Sequence, residues 1–228
     1  MTTVLIAAAA APARPPSRPS RLLAAGLVAG PLFTAAYLVE GALRGDGYSA
    51  IRHPVSSLAL EAHGWQQIVN FVVCGLLVML FSAGLRRTLR GGPGAVVVPL
   101  LVAVWGAGLI GAGAFLTDPV GGYPTSTGPA TWHGQVHDLV FSLPGFAALF
   151  LAMVTFPRRR SGRFALYSAL SGITFAVFFT FATVGFAGTD PWTSTAGLWQ
   201  RLCVSVGWLW LAALAALCRR MTQVHESL

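Results

Sequence analysis

Short arginine clusters stand at every second gap between six apolar stretches, and that alternation constrains the chain more than any other feature. The stretches cover residues 22–43, 67–85, 95–116, 136–156, 164–186 and 199–217. A bilayer core about 30 Å thick needs roughly 20 apolar residues of helix to cross it, so each stretch is long enough. The runs are continuously apolar, without the alternation that marks the strands of a transmembrane barrel. A charged fraction of only 10% leaves too little polar surface to solvate a globule. The expected fold is all-α: a polytopic membrane protein of six transmembrane helices.

The placement of the arginines orients the bundle. Arg14, Arg18 and Arg21 precede the first stretch, and Arg86, Arg87 and Arg90 lie between the second and third. Arg158, Arg159, Arg160 and Arg163 follow the fourth, and Arg219 and Arg220 end the sixth. Only Arg44, Arg52 and Arg201 fall on the other side. By the positive-inside rule both termini are expected in the cytoplasm, in a multi-pass protein of the inner (plasma) membrane. A net charge of +8 is, taken alone, a mark of phosphate binding. Its clustering at one membrane face is better explained by topology and by anionic headgroups, so the expected partners are membrane lipids and not nucleic acid.

Three regions are expected: a Pro- and Arg-rich cytoplasmic tail at 1–20, the membrane domain at 21–220 and a short cytoplasmic tail at 221–228. The first apolar run, with its consecutive alanines, has no positive residues ahead of it, unlike a secretory signal. Cys203 and Cys218 sit about 22 Å apart along one helix at 1.5 Å per residue, too far to pair.

Self-comparison suggests three repeated helical hairpins. Asp46, Asp118 and Asp190 recur at intervals of 72 residues, and Trp65, Trp132 and Trp199 at intervals of 67. Thr117-Asp118-Pro119 and Thr189-Asp190-Pro191 match outright. The plainer explanation is that tryptophan favours interfaces and that Asp-Pro ends helices. Small residues at Gly108 and Ala112, and at Ala107 and Gly111, allow close backbone approach and suggest a central third helix. Pro31 and Pro144 interrupt helices one and four, with Pro144-Gly145 the expected kink.

Chemistry-bearing side chains gather at the face opposite the arginines. His133 and His137 have the i, i+4 spacing that puts both imidazoles on one face of helix four. With His53 or Asp118 they form a candidate Zn²⁺ set, whose bound water would attack a lipid ester or amide. Ser57 and Asp138 are the candidate catalytic groups, orienting substrate or moving a proton. The competing explanation is that these residues cap helix ends; Thr131 is a natural N-cap for helix four. A polar site of this kind also suits lipid or partner binding. Two further readings are weaker. Small-molecule transport calls for ionisable groups at the bilayer midplane, where Asn70, Ser82, Thr174, Thr180 and Ser205 sit instead. Transmembrane haem transfer calls for histidines near both faces, and His133 and His137 share one helix.

The segment Arg52-His53-Pro54-Val55-Ser56-Ser57-Leu58, followed by Trp65, Asn70, Gly75 and Gly84-Leu85-Arg86-Arg87, resembles the six-helix prokaryotic membrane proteins grouped as domain of unknown function 998. The similarity spans roughly residues 22–220 and includes Asp118-Pro119 and the His133/His137 pair. Ser57 occupies a place where such proteins often carry an acidic residue, so no role of that carboxylate transfers. The resemblance implies six membrane helices and brings no reaction with it.

Overall fold

The computed structural model describes residues 18–227 except 46, 93, 126–127 and 157–161. Arg14, Asp46 and Arg158 to Arg160 lie outside the described residues. Six helices are long and apolar enough to cross a membrane: α1 (Arg18–Leu43), α2 (Trp65–Thr88), α3 (Gly94–Ala114), α4 (Trp132–Thr155), α5 (Arg163–Phe186) and α6 (Ala196–Ser227). In lipid every backbone amide needs a partner within its own segment, which is why such apolar runs become helices. Among the described residues there is no β-strand.

Each helix packs against its neighbour in the chain, and α6 returns to α1, so the bundle is a closed ring in sequence order. Six crossings bring the chain back to the end where it began, the arginine end. The opposite end carries the connections 44–64, 115–131 and 187–195 and is called the histidine end below.

The ring is tightest where glycines meet. A Cβ on Gly75 of α2 would lie 2.7 Å from the Gly106 carbonyl oxygen of α3, so these backbones touch. On its other side α3 meets α4, where a Cβ on Gly108 would come 2.8 Å from the Phe141 carbonyl and the Phe141 ring lies over Gly111. The expected small-residue surface is real, but Ala107 faces outward and α3 stands between α2 and α4 in the ring. The centre is aromatic: Phe33 of α1 meets Trp208 of α6 at 5.5 Å, Trp208 meets Trp105 of α3 at 5.9 Å, and Trp105 meets Phe146 of α4 at 5.2 Å between ring centroids.

Helix α4 changes pitch along its length. Thr131 caps it as expected, its hydroxyl accepting from the Gly134 amide at 3.1 Å. After one α-turn the backbone widens to a π-helix over Val136–Ser142, with the Leu143 amide bonded to the Asp138 carbonyl, before α-geometry resumes. Pro144 explains the change. It has no amide for the Val140 carbonyl, and its ring would crowd that carbonyl in a regular turn; widening the preceding turn relieves both problems. The kink expected at Pro144-Gly145 takes this form.

All three cysteines are buried, and none of them is in a disulfide. The last helix runs on to Ser227, beyond the end expected for the sixth apolar stretch.

Candidate functional site

The histidine end is built around connection 44–64, which folds down onto the start of α6. Amides in the first turn of a helix have no intrahelical partner. Here the Gly197 amide donates to the Arg52 carbonyl at 3.2 Å and the Leu198 amide to the Ile51 carbonyl at 2.9 Å. A Cβ at Gly197 would collide with the His53 carbonyl, so only glycine permits this approach. One turn along α6, Gln200 accepts from the Val55 amide at 2.8 Å through Oε1. Arg201 lies beneath, 8% exposed, donating to the His53 carbonyl at 2.8 Å, to the Gly197 carbonyl at 3.0 Å and to the Tyr48 hydroxyl. Arg44 closes the other side of the loop through the Leu58 carbonyl and an ion pair with Glu61 at 3.7 Å.

His53 is buried at the heart of this cap. Its Nδ1 accepts from the Ser49 amide at 2.9 Å, which leaves Nε2–H to donate to the Gly121 carbonyl at 3.3 Å. Its ring stacks on Tyr123 at 5.3 Å, and Tyr48 meets the Tyr123 ring edge-on at 5.2 Å. Burial pushes the His53 pKa below the usual imidazole range, the charges of Arg52 and Arg201 push the same way, and the bond to Gly121 opposes them. Burial likewise raises the Tyr48 phenol, against the pull of Arg201. The Tyr123 phenol is raised by burial and by the hydrogen bond it donates to Glu61 at 3.0 Å.

A second cluster joins the end of α3 to the start of α4. Asp118 accepts from the Thr131 amide at 2.9 Å and from the Thr131 hydroxyl at 2.6 Å. Gly134 gives the carboxylate room against the first turn of α4, where a negative charge complements the helix dipole. His133 and His137 do share one helix face, as their spacing requires. Both rings point at the chain just beyond α3: His133 Nδ1 donates to the Leu116 carbonyl at 3.1 Å and His137 Nδ1 to the Phe115 carbonyl at 2.7 Å. Carbonyls past a helix C-terminus lack intrahelical donors, and the two imidazoles supply them.

The structure therefore brings His133, His137 and Asp118 to one corner and leaves His53 in the other cluster, facing Gly121. Among the described residues no three His, Cys, Asp or Glu side chains come together as a group able to hold a metal ion. Ser57 is fully buried in the short 3-10 turn Val55–Ala59, its hydroxyl without a hydrogen-bond partner. Asp138 is exposed, on the π-helical segment of α4.

Between these clusters lies a cavity of about 330 Å³. Its inner wall is buried and apolar, formed by Phe33, Trp105, Leu109, Cys203 and Val204. Toward the histidine end it meets Ser56, Thr117, His137 and Gln200. Its flank consists of Asp138, Leu139 and Leu143 from α4 with Thr183 from α5, all exposed. The reason it opens there is the packing of α4. The π-helical half leans on α3, and α5 packs against the second half, Leu143–Thr155, leaving the halves nearer the histidine end apart. Sequence reasoning missed Gln200, Tyr48 and the apolar wall. The first two stand beside residues already singled out, Trp199 and the His53 segment. The wall leaves no trace in helices that are apolar on every side.

The family model described as "Protein of unknown function (DUF998)" matches residues 27–217, from within α1 to within α6. The chain belongs to the DUF998 family. The match takes in all six helices of the ring, both clusters and the cavity, so the site is part of the family's own domain. No curated protein and no solved structure matches the chain.

Proposed function

We propose that this protein binds a lipid-like amphiphile, admitting it sideways from the outer leaflet of the inner membrane through the gap between α4 and α5. One observation carries the reading: an apolar-walled cavity whose flank is exposed where a bilayer would lie, with polar groups at the end nearest the headgroups. Ligand pockets commonly combine an apolar lining with a few polar groups that fix orientation. The orientation rests on the arginine bias, which favours both termini in the cytoplasm and puts the histidine end outside.

The test is native mass spectrometry of the protein released from nanodiscs. An amphiphile should be retained, and Leu109→Trp, which fills the inner wall, should lower its occupancy severalfold while the helical circular dichroism stays unchanged. Equal retention by the filled variant would remove the cavity from the explanation. A reporter fused after residue 228 should be active only in the cytoplasm; activity on the far side would invert the proposed access.

A further inference from the structure

We infer that the occupant of the α4–α5 cavity is an amphiphile with an ammonium head, held at its mouth by Asp138. This rests on the cavity reading above and adds the chemistry of the ligand.

The lining carries one formally charged side chain, the Asp138 carboxylate, and no arginine. No hydrogen bond or ion pair among the described residues engages that carboxylate. Its neighbour His137 is held in place by the Nδ1–H it donates to the Phe115 carbonyl. The one carboxylate that could anchor a head is an acceptor only. Gln200 and Ser56 add neutral dipoles only. Of the three arginines at this end, Arg201 is committed to the His53 and Gly197 carbonyls and to Tyr48, Arg44 to Leu58 and Glu61, and Arg52 is exposed on the loop and is not part of the lining. An anionic head would thus meet a like charge with no cation in the lining to offset it, whereas an ammonium satisfies Asp138 by a charge-assisted bond.

The π-helix is the second observation. Wide turns of this kind recur at functional sites, and this one carries His137 and Asp138 together at the cavity mouth. At about 330 Å³ the cavity falls in the size range of small-molecule pockets.

The experiment uses the full chain in nanodiscs of zwitterionic lipid and reads tryptophan quenching by dodecyl probes tipped with bromine. Trp105 lines the cavity, so the informative part is the saturable quenching that disappears in Trp105→Phe or, should that variant fold poorly, in Leu109→Trp. The dodecylammonium probe should saturate this component at about tenfold lower concentration than the dodecyl sulfate probe, the size expected of one bond to a charged group. Asp138→Asn should erase the difference and Asp138→Glu should keep it. Equal or reversed preference in the wild type would overturn the ammonium head while leaving the cavity in place. Preference surviving in Asp138→Asn would overturn the assignment to Asp138, and no saturable component with any probe would overturn both the head and the cavity.

Discussion

The two sides of the helix ring are held together in different ways. On one side α1, α2, α3 and α6 meet through close contacts at glycines and are tied at the histidine end by Arg201, Gln200 and the loop they hold. On the other, α4 meets α5 along its second half, as far as Phe146 against Phe179 at 5.1 Å, and the remaining gap is lined by exposed Leu139, Leu143 and Thr183. Close packing and the hydrogen bonds from Arg201 and Gln200 to the loop hold the first side together. The second has neither, and that is where the cavity opens. In this bundle, access follows from an absence of close packing at one seam.

Arg201→Met gives the largest expected effect, because it strands the buried His53 carbonyl and the Tyr48 hydroxyl together. A loss of about 3 kcal/mol of stability is expected, from bonds to a charged group and the carbonyl left unpaired, read as a lowered denaturation midpoint in detergent. A change below about 1 kcal/mol would mean that the cap is held by its ring contacts instead. Gly75→Val comes next. Its side chain would press on the Gly106 carbonyl and on Ile110, and overpacking of this kind costs about 1–3 kcal/mol. If the variant melts like the wild type, the α2–α3 seam is looser than described.

Acidification should loosen the clamped side first. The folded His53 pKa lies below its ordinary value, so the neutral imidazole is the form the cap stabilises. Its contribution is complete above the unfolded pKa near 6.5 and is lost as pH falls through the folded value. Amide exchange over residues 44–64, corrected for intrinsic rates, should accelerate below pH 6.5 relative to α4, and His53→Gln should flatten the profile. The smallest effect is expected at the open seam: Leu139→Ala, at a position 63% exposed, should change stability by less than about 0.5 kcal/mol. A large loss there would mean that the gap is filled by a neighbour.

Much of this was legible in the residues. Six apolar runs give six helices because lipid tolerates little else, Thr131 caps where a hydroxyl before a helix should, and His133 and His137 share a face because their spacing demands it. Pro144 marked the distortion of α4 without revealing that it would be a π-helix. What escaped is the pairing. Arg201 binds the His53 carbonyl and the Tyr48 hydroxyl of a loop some 150 positions away in the chain, and the Glu40 carboxylate has no hydrogen bond. Contacts of that range depend on how the ring closes, which no local pattern encodes. Ser57 was a candidate to orient substrate or move a proton, but the short turn buries it completely. The cavity was the least legible feature, since a helix apolar all round gives no hint of which face it leaves uncovered.

The start of α6 has one more consequence. An unoccupied helix N-terminus attracts phosphates and carboxylates, and the outward face of a membrane protein is where such groups are plentiful. The backbone donors of Gly197 and Leu198 are already taken by carbonyls of Arg52 and Ile51. By folding its own chain over that position, the molecule satisfies these donors internally and leaves them unavailable to an outside anion.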